Sequence, residues 1–163
     1  MWGLEHLQHD YEVMRYLALN YLRDIKHKQL LVEQAHEQIA KQESALTLQG
    51  IDYSCKAQVT TSTGNTNPQE QSIMQLLELR QRAIDTQAHN SGDIEAARNI
   101  CTSCTDMYVL WLKYVEGHSF AEVGRMVGYS LRSVKRRAHD GIIQLYYEMP
   151  EQYRLAIPNA MPN

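Results

Sequence analysis

Arg125, Arg132, Lys135, Arg136 and Arg137 all lie between Arg125 and His139, a stretch without Asp or Glu. The stretch therefore carries +5, and the remainder must carry −8 to give the chain's net −3. Guanidinium and ammonium groups at that density attract phosphate, because a polyanion held against them releases its own counterions. A basic block inside an acidic chain points to phosphate binding by one face, not by the whole protein. The same charges could be a solvated helix face, so the question is whether the neighbouring residues build an element that presents them.

Other residues carry less. Cys101-x-x-Cys104 has a spacing also used by zinc sites and redox pairs. A structural zinc needs four ligands, and neither a second Cys-x-x-Cys nor a His-x₃-His follows at the usual distance. Cys55, His89 and His118 could complete a site only from afar, so the pair reads as small buried side chains on a helix. His6, His9, His27 and His36 lie along an amphipathic stretch, where exposure is the default. No carboxylate pair, Ser/His/Asp set or phosphate-cradling glycine loop stands out. No catalytic residue, metal ligand or cofactor is assigned, and an enzyme is not expected.

The basic block sits in Ser119–Leu145, which reads as two short helices joined by a tight turn. Ser119 and Glu122 are spaced for a capping box that starts the first helix after Gly117. Phe120, Val123 and Val127 share one face, with Gly124 beside it, where a missing Cβ would let another backbone approach. Gly128 is placed to end that helix in a left-handed conformation, and Ser130 to cap the next. The second helix offers Val134, Ala138, Ile142 and Leu145 to a core and keeps Arg132, Lys135, Arg136 and His139 on its other faces. That is the outline of a helix-turn-helix, and it raises DNA binding above the solvated-face reading.

The run Tyr114-Val115-Glu116-Gly117-His118-Ser119-Phe120-Ala121-Glu122-Val123-Gly124, then Gly128-Tyr129-Ser130 and Ser133-Val134-Lys135-Arg136, resembles region 4 of sigma-70-type transcription factors. It is closer still to the sigma-region-4-like C-terminal domain of phage late-gene activators of the ArpU/RinA type. The resemblance extends from about Gly50 to Leu145 and is strong from Tyr114 to Arg136. It implies that the second helix enters the major groove while the first spans the backbone. One departure stands out: region 4 usually has an apolar residue where Arg137 stands. Either Ala138 takes over the packing or the helix is rotated.

On this reading Leu131, Arg132, Lys135 and Arg136 are candidates for base edges, on the early exposed part of the recognition helix. Arg125, Ser130, Ser133, Arg137 and His139 are candidates for phosphates.

The rest of the chain must position this pair. Leu4–Leu48 has no Pro and reads as one helix of roughly 65 Å at about 1.5 Å per residue. Steps of three and four from Leu4 give Leu4, Leu7, Tyr11, Met14, Ala18, Tyr21, Ile25, Lys28, Val32, Ala35, Ile39, Gln42 and Leu46, and eleven of these thirteen are apolar. That pattern favours a coiled-coil seam. It could pair with its copy in another subunit, as a reader of a symmetric site would need, or fold back on the helix that follows. Gln49–Gln69, with Gly50, Gly64, Pro68 and a Thr/Ser/Asn run, reads as a loop or linker. Glu70 to about His89 is helical again. Asn90-Ser91-Gly92-Asp93 should interrupt it, with Asp93 capping a scaffold helix that carries Cys101, Cys104, Tyr108 and Trp111 on one stripe. Pro150 should stop the last helix and leave a frayed tail.

The expected architecture is thus all-α. Residues 1–48 form a long coiled-coil-like arm, 49–69 a linker, 70–149 a helical scaffold with the helix-turn-helix (core 119–145), and 150–163 a flexible tail. No apolar run approaches a membrane span, no export leader is recognised, and three cysteines suit a reducing bacterial cytoplasm. The expected partners are double-stranded DNA, a second copy through the N-terminal helix and, by the resemblance alone, host RNA polymerase. The resemblance implies a phage or prophage transcription regulator, an activator of late genes. The alternative from another class is a helical interaction protein, such as an anti-sigma factor or a polymerase-binding inhibitor.

Overall fold

The structure, a computed structural model, describes residues 3–48 and 67–155, the side chains of 3–9 excepted. Its regular structure is all helical, with no strand among the described residues. Helix α1 spans Gly3–Leu48 without a break, as the proline-free sequence predicts. Of the expected linker, residues 49–66 lie outside the described residues, and Pro68 already opens the next helix.

Helix α2 runs from Pro68 to Thr102. Pro68 suits the first helical position, where the missing N–H has no helical partner to lose, and Asn67 Oδ1 accepts from the Gln69 N–H at 3.4 Å. The interruption expected at Asn90–Asp93 does not occur. Asn90 is buried and its amide donates to the Thr86 carbonyl four residues back at 2.8 Å, so it bonds within the helix instead of competing with it. Asp93 caps nothing and instead binds Lys28 at 2.6 Å.

The break falls at Ser103 and Cys104 instead. Cys104 is extended (φ −144°, ψ 158°) ahead of helix α3, Thr105–Leu110. The stripe expected on one scaffold helix is therefore split between two. A π-helical segment, Trp111–Val115, continues α3 and ends with the Trp111 indole donating to Glu116 at 2.9 Å. Helices α4 (Phe120–Val127), α5 (Leu131–Glu148) and α6 (Glu151–Arg154) complete the chain.

Packing divides these helices into two units. One takes the chain up to Lys28 and from Gly92 onward. In it α1 contributes Leu17, Ala18, Tyr21, Leu22 and Ile25 to a core shared with Ala97 and Cys101 of α2, Met107 and Leu110 of α3, and Trp111 and Leu112 of the π segment. Val123 of α4, Val134, Ala138, Ile142 and Leu145 of α5, and Met149 close it. This part of the α1 seam is thus covered by the chain's own later helices. The other unit is Gln29–Ser91, where Leu46, Leu76 and Ala83 are buried and Arg80 pairs with Glu43 at 2.5 Å.

The tail expected from Pro150 starts with an ordered turn. Tyr153 of α6 sets its ring edge against Tyr21 and donates a short hydrogen bond to Asp24. Asp24 also holds Lys28 at 3.0 Å. Burial pushes the Asp24 carboxyl up, but the bonds from Tyr153 and Lys28 outweigh it and hold the group below the usual carboxylate range. Lys28 is raised, since its bonds to Asp93 and Asp24 overcome the opposing cost of burial.

Candidate nucleic-acid interface

The α4–α5 pair is built from local bonds that the sequence specifies residue by residue. Glu122 N–H donates to Ser119 Oγ at 3.2 Å and the Glu122 carboxylate accepts from the Ser119 N–H at 2.7 Å, closing the capping box. The Ser119 backbone bond, then its side-chain bond, hold the Glu122 carboxyl below its ordinary range. Gly128 ends α4 at φ 74°, in the left-handed region that favours glycine. A Cβ on Gly124 would stand 2.8 Å from the Tyr129 carbonyl oxygen, so the turn closes against α4 only because that atom is missing. Ser130 then caps α5, accepting from the Ser133 N–H at 3.3 Å while its hydroxyl donates to Ser133 Oγ at 3.0 Å.

This frame separates the residues of α5 by face. Val134, Ala138, Ile142 and Leu145 are buried, as their spacing predicts. Leu131, Arg132, Lys135 and Arg136 are exposed on the first two turns, and Arg125 is exposed on α4. Among the described residues, none of the four cations forms an ion pair with a carboxylate. Some cations elsewhere are tied down, Lys28 by Asp24 and Asp93, Arg80 by Glu43, Lys41 by Glu37, Arg82 by Glu78 and Arg15 by Glu12, whereas Arg23, Lys26, Arg98, Lys113 and Arg154 form no such ion pair among the described residues. The start of α5 adds a positive dipole end and N–H groups that the helix itself leaves unpaired.

Two of the expected phosphate candidates are engaged within the chain. Arg137 turns inward: Nη1 donates to Asp106 Oδ1 at 2.6 Å and the guanidinium lies 4.3 Å from the centre of the Tyr129 ring. Ala138 takes the packing position, which decides between the two alternatives left open by the sequence. His139 stays exposed, but its ring stacks on Tyr11 of α1 at 4.1 Å between centres. Ser130 and Ser133 are engaged mainly with each other.

Sequence reasoning missed two residues that hold the pair in place. Asp106 is the inward partner of Arg137, 31 residues away, and no local spacing announces such a pair. Gly141 lies on the buried face of α5, where a Cβ would come within 2.3 Å of the Asp106 carbonyl oxygen. A glycine in the middle of an apolar helical stripe was the available signal.

Cys101 is buried, and burial pushes its thiol up to about 12. Cys104 is half-buried and donates to Gln144 at 2.9 Å. Among the described residues, no helix is long and apolar enough to cross a membrane.

No family model matches the chain, and no curated protein or solved structure matches it.

Proposed function

We propose that the chain is a sequence-specific binder of double-stranded DNA that presents the first turns of α5 to the major groove. The observation that carries this reading is the set of unpaired cations. Among the described residues, Arg125, Arg132, Lys135 and Arg136 are exposed without carboxylate partners and are gathered on one capped helix pair, in a chain of net −3. Leaving such charges together repels, and an external polyanion relieves that repulsion. The major groove of B-DNA admits one helix, and Arg side chains there can take the O6 and N7 acceptors of guanine together.

The finer reading is a phage or prophage transcription regulator that activates late genes with host RNA polymerase in the bacterial cytoplasm. It rests on the resemblance of Tyr114–Arg136 alone. A symmetric operator would call for two copies. Because the α1 seam around Tyr21 is occupied within the chain, pairing would fall to residues beyond Lys28, where Leu30 and Leu31 are exposed.

The test is DNA affinity measured across a salt series with a footprint on the neighbouring phage promoters. Affinity should fall log-linearly with salt, and Arg132→Ala should lower the slope by about 1 if it meets a phosphate, or cost roughly 1 to 3 kcal/mol at one base position if it reads a base. A protein that co-purifies with polymerase without DNA and shows no salt-dependent DNA affinity would be the interaction protein instead.

A further inference from the structure

We propose that Tyr11 of α1 is a positioning residue that holds His139 as a proton-dependent phosphate contact at the edge of the same interface. This rests on the DNA-binding reading above. His139 follows Arg132 by seven residues and Arg136 by three, so it continues their face of α5 by one turn. Its ring is the aromatic member of that stripe, and it is not free to swing: the Tyr11 ring lies nearly parallel to it, 4.1 Å away and tilted by 19°.

The orientation has a chemical consequence. Nδ1 stands 3.4 Å from the Asp140 carboxylate, which favours the tautomer with its proton on that nitrogen. In the neutral ring Nε2 is then a bare acceptor, which a phosphate oxygen avoids. Protonation turns Nε2 into a charged donor on the face that Arg132 and Arg136 share. The charged and titratable groups around the stack are Asp140 on α5, Glu12 next to Tyr11 and Arg15 one turn along α1, and Tyr114 from the π segment; Lys135 and Arg136 come one turn before His139 on its own helix. Glu12 and Arg15 largely cancel, being paired at 3.4 Å. Burial raises the Tyr11 phenol, so that ring stays neutral wherever histidine titrates.

The experiment uses the full chain and a short random-sequence DNA duplex, because a phosphate contact needs no operator. Wild type should bind about 3- to 10-fold more tightly at pH 6 than at pH 8, with a salt slope larger by about 1 at the lower pH. His139→Gln should lose that difference while keeping the pH 8 affinity. Tyr11→Phe should behave as wild type, and Tyr11→Leu should lose most of the difference. Proton NMR of the His139 ring gives a second reading: stacking shifts its carbon-bound protons upfield, and the shift should vanish in Tyr11→Leu. The proposal is overturned if His139→Gln keeps the wild-type ratio, or if Tyr11→Leu keeps both the ratio and the upfield shift. Absence of DNA binding at either pH would instead overturn the reading on which the proposal rests.

Discussion

Two arginines four and five residues apart from Arg132 on the same helix face opposite fates. Arg136 is exposed, whereas the Arg137 guanidinium sits between Asp106 and the Tyr129 ring. Arg137→Ala should therefore lower the melting temperature and leave the salt slope of DNA binding unchanged, while Arg132→Ala should weaken DNA binding and leave the melting temperature unchanged; both are read from thermal melts and a salt titration. Glycines divide in the same way. Gly92 is helical with nothing within 4 Å of a built Cβ, so Gly92→Ala should stabilise by up to about 1 kcal/mol. Gly141→Ala sets a methyl group against the Asp106 backbone, which cannot swing aside, and should cost about 1 to 3 kcal/mol or more. Denaturant melts of the two variants should move in opposite directions. The inward turn of Arg137 was illegible in the sequence, and Gly141 showed only as a glycine in an apolar stripe, because the partner of both is Asp106, which lies on a different helix.

At the scale of elements, whatever is local was readable. Ser119, Glu122, Gly124, Gly128 and Ser130 each specify a bond or a backbone conformation within a few residues, and all five act as their spacing predicts. Ser119→Ala should accordingly cost about 1 kcal/mol, seen as earlier fraying of α4 in hydrogen exchange. Glu122 has its carboxyl lowered in the fold, so its share of that cap is present above the unfolded pKa and is lost as pH falls through the folded value. The helix break was misplaced for one local and one tertiary reason. Asn90-Ser91-Gly92-Asp93 carries strong turn residues, yet Asn90 bonds back to Thr86 and Asp93 is held by Lys28. Propensity is a weak prior once such partners exist. The actual break at Cys104 has no glycine or proline to mark it.

On the scale of the whole molecule, the heptad-like stripe of α1 marked the buried side and left its partner open between a second copy and the helix that follows; α2 supplies part of the cover and the later helices the rest. Tyr21, Leu22 and Ile25 are buried against helices formed some 70 residues or more later in the chain, and periodicity shows only that a face is apolar. Leu22→Ala should cost about 2 to 5 kcal/mol and loosen the α4–α5 pair with it, since all belong to one core. Acid should weaken the same unit: with its pKa lowered in the fold, Asp24 stabilises above its unfolded pKa of about 3.9, and this is lost as pH falls through the lower folded value. Asp24→Asn should flatten that part of a stability-versus-pH curve. The unit is also discontinuous in sequence, with Gln29–Ser91 packed separately between its two parts. During synthesis, the apolar face of Leu17–Ile25 emerges first, has no cover until Ala97 and the helices after it have followed, and is complete only with Tyr153, 129 residues after Asp24. Gln29–Ser91 is continuous and can close earlier, shortening the chain that must be looped to bring those parts together. The capped helix pair thus acquires its foundation late: a released fragment truncated shortly after Ser91 should protect Leu46 and Leu76 from exchange while Leu22 remains unprotected.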